Sequence, residues 1–124
     1  MATQGHTVRE TFIAGADLSA AQFTFVVMNT TDRTVVAAGN AAAADGVVIN
    51  KPASGEAATI VLFGRTIVKC GTGGLTAGAN VGVDAAGLGV VAATSDAIVG
   101  RCVDAGAAGG YATIDFFRGG NLSA

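Results

Sequence analysis

The sequence has few of the residues on which enzymatic chemistry depends. It holds one histidine, two cysteines and no tryptophan among 124 residues. A zinc site usually takes four Cys or His ligands, and this chain has too few and no Cys-x-x-Cys pair. The histidine, His6, lies in a polar N-terminal segment with nothing to hold an imidazole beside a nucleophile. We therefore expect a protein that is not an enzyme, with no catalytic residues, no cofactor and no metal.

Charge is also scarce, at 13% of residues, and the seven basic residues are scattered against nine acidic ones. Binding to a phosphate backbone needs clustered cations, so we expect no direct nucleic-acid partner. No apolar run approaches the roughly 18 residues that span a bilayer, which argues against a membrane partner. The first residues also lack the basic and apolar regions of a signal peptide, so Cys70 and Cys102 are expected to be buried thiols rather than a disulfide.

Small apolar residues take the place of these missing groups. Hydrophobic residues make up 51% of the chain, with 19 glycines, and the mean hydropathy is +0.56. Much of this content is alanine, which tolerates exposure, but the value also indicates that a partner covers part of the surface.

Short runs of β-branched and aromatic residues recur about every ten residues, between Gly, Asn and Asp turns. No window has a sustained helical period. The pattern predicts an all-β domain, a small antiparallel barrel or sandwich. The runs lie at residues 22–28, 34–38, 47–49, 57–63, 65–70, 80–84, 88–92, 97–103 and 111–117.

Two local patterns give more detailed predictions. In the first run, Phe23, Phe25 and Val27 alternate with Thr24 and Val26, which predicts one core face and one mixed face. Gly64 alone separates the runs 57–63 and 65–70, which predicts a bulge or a sharp bend in one long strand rather than a hairpin.

The domain is predicted to span residues 12–118. Residues 1–11 are polar and without periodicity, and we expect a flexible N-terminal arm that becomes ordered on a neighbouring subunit. Residues 119–124 are expected to form a mobile tail.

The remaining motifs favour structural interpretations. Residues 87–92 match the dinucleotide pattern G-x-G-x-x-A, but Val90 and Val91 continue as a strand where a helix is needed. Asp84, Asp96 and Asp104 adjoin turns that they are expected to cap, and Asp115 alternates with apolar residues and should face outward. Lys69 near a turn loosely resembles the modified lysine of a lipoyl or biotinyl carrier, without its usual flanking residues.

Taken together, the chain resembles capsid decoration (cement) proteins of tailed bacteriophages over about residues 12–117. The segments that carry the resemblance are FIAGADLS (12–19), GVVINKPASGE (46–56), LTAG (75–78), VDAAG (83–87), GR (100–101) and ATI (112–114).

This resemblance implies a small β-barrel or β-tulip domain in the virion, assembled in the host bacterial cytoplasm. It implies a homotrimer on the outer surface of the head that stabilises the shell by bridging major capsid subunits. Members of the family attach through an N-terminal arm. By position, that arm corresponds here to the segment containing Thr7, Val8, Arg9 and Phe12.

A carbohydrate-binding or adhesion module is the alternative. Sugar sites usually stack the sugar on an exposed aromatic ring. Phe116 and Phe117 are adjacent, so one of them must face away from the core of a regular strand. That ring would serve as a sugar platform or as an oligomer contact.

Overall fold

The computed structural model describes residues 8–39, 43–93 and 97–122, with side chains as far as Phe117. The described chain is all-β, which confirms the predicted fold class, and none of it is helical. Its strands are β1 (Val8–Ala14), β2 (Thr24–Met28), β3 (Thr34–Ala37), β4 (Gly46–Val48), β5 (Ala57–Lys69), β6 (Asn80–Val83), β7 (Gly89–Val91), β8 (Ala97–Asp104) and β9 (Tyr111–Leu122).

Five of the strands pair in a ring. They follow the order β1-β3-β2-β4-β5, and β1 pairs again with β5. The other four, in the order β9-β8-β6-β7, continue from β5 as an open antiparallel extension. The sheet is mostly antiparallel, with β1 and β3 as a parallel pair, and as a whole it is a partial ring rather than a closed barrel.

Strand β5 joins the ring to the extension. It pairs with β1 up to Phe63 and with β9 from Gly64 onwards. Gly64 has φ +116°, a conformation that glycine adopts readily and other residues rarely do. The predicted bend is therefore confirmed, and it lies where the strand changes partner.

The buried residues form two cores, one inside the ring and one between the ring and the extension. Strand β5 contributes Ile60 to the first and Val68 to the second, on either side of the Gly64 bend. The ring core consists of Phe12, Ala14, Leu18, Val26, Val35, Val48, Ala58 and Ile60. The extension core includes Phe25, Val47, Val61, Val68, Leu75, Val81, Val99, Ile114 and Phe116.

Strand β2 lies between these cores, and the predicted division into a core face and a mixed face is wrong for it. Phe25 packs in the extension core while its neighbour Val26 is fully buried in the ring core. Phe23 and Val27 are only half-buried. Both faces of this strand are covered because the ring closes on one side and the extension packs on the other.

Both ends of the domain extend beyond their predicted limits. Strand β1 begins at Val8, inside the predicted arm, and its residues from Val8 pair with β5. Strand β9 continues to Leu122, which pairs with Ala97, inside the predicted tail. Residues 1–7 and 123–124 lie outside the described residues.

Several local predictions are confirmed. Cys70 and Cys102 are free and buried, and burial raises the pKa of both thiols. Asp84 caps its own turn, because its Oδ1 accepts the backbone N–H groups of Ala86 at 2.8 Å and Leu88 at 2.9 Å. The glycines of the G-x-G-x-x-A match lead into strand β7 and not into a helix, as the sequence analysis predicted.

Candidate interaction surface

Large apolar side chains are exposed where β1 and β5 pair. Val8 lies directly opposite Phe63, and the two are 51% and 56% exposed. Ile67, further along β5, is 44% exposed. We call Val8, Phe63 and Ile67 the apolar strip. Side chains directly opposite in a sheet lie about 5 Å apart, so Val8 and Phe63 form one continuous contact surface.

An ion pair lies within this strip. Arg65, between Phe63 and Ile67 on β5, donates from Nε to Asp115 Oδ1 at 2.8 Å and from Nη2 to Oδ2 at 3.2 Å. This bond lowers the pKa of Asp115 and raises that of Arg65. Both side chains are about half exposed, so solvent screens the pair and it contributes little to stability. Its main consequence is that a partner covering the strip meets charges that are already paired.

The four residues predicted to contact a capsid lie in different surroundings. Thr7 lies outside the described residues. Val8 belongs to the apolar strip, and Arg9, next to it on β1, is exposed. Phe12 is 8% exposed and belongs to the ring core, with the Arg33 guanidinium 5.4 Å from its ring centroid. A contact through Phe12 would require β1 to leave the sheet.

Sequence reasoning missed Phe63 and Ile67 as surface residues. The signal was present in the alternation of Phe63, Arg65 and Ile67, because a charged residue between apolar ones marks a face that is not simply core. The runs 57–63 and 65–70 were interpreted only as strand, without an assignment of their exposed face.

Because β1 begins at Val8, deleting residues 1–11 should lower the stability of the domain. Deleting residues 1–11 removes half of β1 and its pairing with β5, so we expect a loss of about 2–4 kcal/mol in the free energy of unfolding. Deleting residues 1–7 leaves the strand intact and serves as the control. Urea unfolding of both proteins measures the difference. Equal stability of the two would contradict the assignment of Val8–Thr11 to the sheet.

The described residues include no group of three or more His, Cys, Asp or Glu side chains that could hold a metal. No helix in residues 8–39, 43–93 or 97–122 is long and apolar enough to cross a membrane. His6 and Asp96, considered in the sequence analysis, lie outside the described part of the chain.

The fold is similar to that of a solved phage protein. No family model matches the sequence, and no curated protein matches it. Among solved structures, the chain is similar to the N base of the head fiber protein gp8.5 of bacteriophage phi29, with a TM-score of 0.72 and 16% sequence identity. The match covers 94% of this chain and 98% of that one. At this identity the likeness shows a shared fold, and it includes the ring and the extension together.

Proposed function

We propose that this chain is a structural protein of a bacteriophage head, which binds the outer surface of the shell and stabilises it by bridging major capsid subunits. The observation that carries the proposal is the shared fold with the N base of the phi29 head fiber, over 94% of this chain and 98% of that one. The resemblance of the sequence segments to capsid decoration proteins supports the same assignment independently of the fold.

The apolar strip is the surface proposed to contact the capsid. Exposed aromatic and aliphatic side chains on a rigid sheet lose little conformational entropy when a partner covers them. Val8 and Phe63 are held by the pairing of β1 with β5, and the two charges of the nearby Arg65–Asp115 pair are already bonded to each other. A binding role of this kind needs contact area and no reacting groups, so the proposal is structural rather than catalytic.

We further propose that the protein assembles as a homotrimer at three-fold positions of the head, in the cytoplasm of the host. The resemblance to decoration proteins supports this stoichiometry. Three copies around one axis would carry three apolar strips, and binding through linked copies strengthens attachment well beyond that of one copy.

Sedimentation of the purified protein, alone and with heads of its phage that lack it, tests the proposal. Alone, the protein should sediment at three times the monomer mass of 12.0 kDa. Mixed with heads, it should co-sediment and raise their resistance to osmotic shock. A monomer that stays in the supernatant would contradict both the trimer and the attachment.

Phe116 and Phe117, the aromatic residues considered for carbohydrate binding, are not exposed enough to stack a sugar. Phe116 is 1% exposed, and Phe117 is half-buried, so neither is an open platform for a sugar ring. A different aromatic, Tyr111, is 55% exposed, and its surroundings support a separate inference.

A further inference from the structure

A hollow of about 200 Å³ lies where the loop before β2 and the loop after β4 meet the start of β9 and the end of β5, two residues along β5 from Ile67 of the apolar strip. Its volume is smaller than the roughly 300–1,000 Å³ typical of drug-sized ligands, and it suits a body the size of a single sugar ring. The residues that line it are Ser19, Ala20, Gln22, Lys51, Lys69 and Tyr111.

The hollow brings together the only two lysines of the chain, Lys51 and Lys69. Within the described residues, neither ammonium group has a hydrogen bond or an ion pair. Arg33, Arg65 and Arg101, by contrast, each bond a carboxylate or a carbonyl. In a protein of net charge −2, two uncompensated cations at one concave site form a local preference for an anion.

The side of the hollow formed by Lys69 and Tyr111 is held in place by contacts with Phe23. Phe23 has φ +66°, an uncommon conformation for a bulky residue that the surrounding structure must impose. Its N–H donates to the Val48 carbonyl at 2.7 Å, and its carbonyl accepts from Lys69 N–H at 2.8 Å. Its ring packs edge-on against Tyr111 with 5.7 Å between centroids, and Tyr111 pairs with Lys69 across the strands. The site is thus preorganised, which lowers the entropy cost of binding.

Neutral polar groups complete the lining. Gln22 donates from Nε2 to the Ile49 carbonyl at 3.0 Å, and its side-chain oxygen is an acceptor for a hydroxyl. Tyr111 presents an aromatic ring and a phenolic O–H, the combination that recognises a ligand with both an apolar face and polar edges. The nearby carboxylate of Asp17 accepts the Ser19 N–H at 3.0 Å, so it is bonded within its own turn rather than to a lysine of the hollow.

We propose that this hollow binds one sugar unit that carries a carboxylate or a phosphate group. The ammonium groups of Lys51 and Lys69 would bind the anion, the Tyr111 ring would pack on the C–H face of the sugar, and Gln22 would accept from a hydroxyl. A neutral sugar leaves the two charges unused, and a bare anion leaves the aromatic ring and the amide unused. The proposal does not depend on attachment to a phage head, because it rests on different residues.

NMR titration of the full chain labelled with ¹⁵N tests this site with defined probes. Glucuronate and glucose 6-phosphate should shift the amide signals of residues lining the hollow, with dissociation constants of about 1–10 mM. Glucose, acetate and inorganic phosphate should each bind at least about tenfold more weakly, since each lacks half of the recognised groups. Both acidic sugars should bind more weakly in about 0.5 M NaCl.

Matched variants assign the effect to the lysines. Lys51→Gln and Lys69→Gln should each weaken glucuronate binding about three- to tenfold. Arg9→Gln removes the same charge from an exposed position of β1 and should leave binding unchanged. Two results would overturn the proposal: no shifts at the hollow with either acidic sugar, or acetate and a glutamate-containing peptide binding as well as glucuronate. The second result would make the hollow a site for acidic protein side chains.

Discussion

Replacing Phe25 by alanine should lower the free energy of unfolding by about 3–5 kcal/mol, a large part of the 5–15 kcal/mol typical of a domain. Phe25 is fully buried, and its ring lies 6.0 Å from that of Phe116. Its N–H donates to the Gly87 carbonyl at 2.8 Å, and its carbonyl accepts from Ala38 at 3.0 Å. The residue therefore connects the ring strands to the β6–β7 turn, and its truncation leaves a cavity where the two parts meet.

Phe63→Ala is the matched control, because it removes the same side chain from a position that is 56% exposed. It should change the free energy of unfolding by no more than about 0.5 kcal/mol. Urea unfolding of the two variants measures both values. A loss below about 1 kcal/mol for Phe25→Ala would mean that Phe25 does not connect the ring to the extension through the extension core.

Replacing Phe63 by aspartate should reduce attachment to phage heads by about 30-fold or more, with the fold intact. An aromatic anchor at the centre of an interface contributes about 2–4 kcal/mol to binding, and a buried unpaired carboxylate adds a desolvation cost. Phe63 has Val8 opposite it and the Arg65–Asp115 pair close by along β5, so a partner covering the strip would bury it. Co-sedimentation with heads over a range of protein concentrations measures the change.

Val91→Asp provides the control for this variant. Val91 is 49% exposed on β7, at the opposite end of the sheet order from β1. The substitution adds the same charge to an apolar surface residue, and it should leave attachment unchanged. If both variants lost attachment equally, the effect would come from net charge. If Phe63→Asp bound heads as the unchanged protein does, the apolar strip would not be the contact surface.

The sequence predicted those features that depend on neighbouring residues. The alternation of β-branched residues located strands β2 to β9, Gly64 marked the bend in β5, and Asp84 marked a turn that its side chain caps. Each of these follows from backbone conformational preference or from local hydrogen bonding, which a short window of sequence contains.

Features that depend on distant pairing were not predicted. The segment Val8–Thr11 is polar because its side chains are exposed, so it lacks the apolar alternation that marks a half-buried strand, yet it pairs along β5. The glycines and polar residues near the C-terminus hid the end of β9 in the same way. The prediction of one core face for strand β2 was wrong because both of its faces are packed, so its burial does not alternate along the strand.

The two candidate binding surfaces differ in how far the sequence could locate them. Val8 and Arg9 were named as contacts from the resemblance, whereas Phe63 became their neighbour only through the register of β1 on β5. The hollow draws on three separate parts of the chain: the loop before β2, the loop after β4 and the paired ends of β5 and β9. No single window contains it.

Electron cryomicroscopy of heads from the phage that encodes this chain tests the central proposal most directly. We expect density for the ring and the extension on the outer surface of the shell, with three copies around an axis and Val8 and Phe63 against the major capsid protein. Heads with a bare outer surface, from virions in which mass spectrometry does not detect this chain, would contradict it.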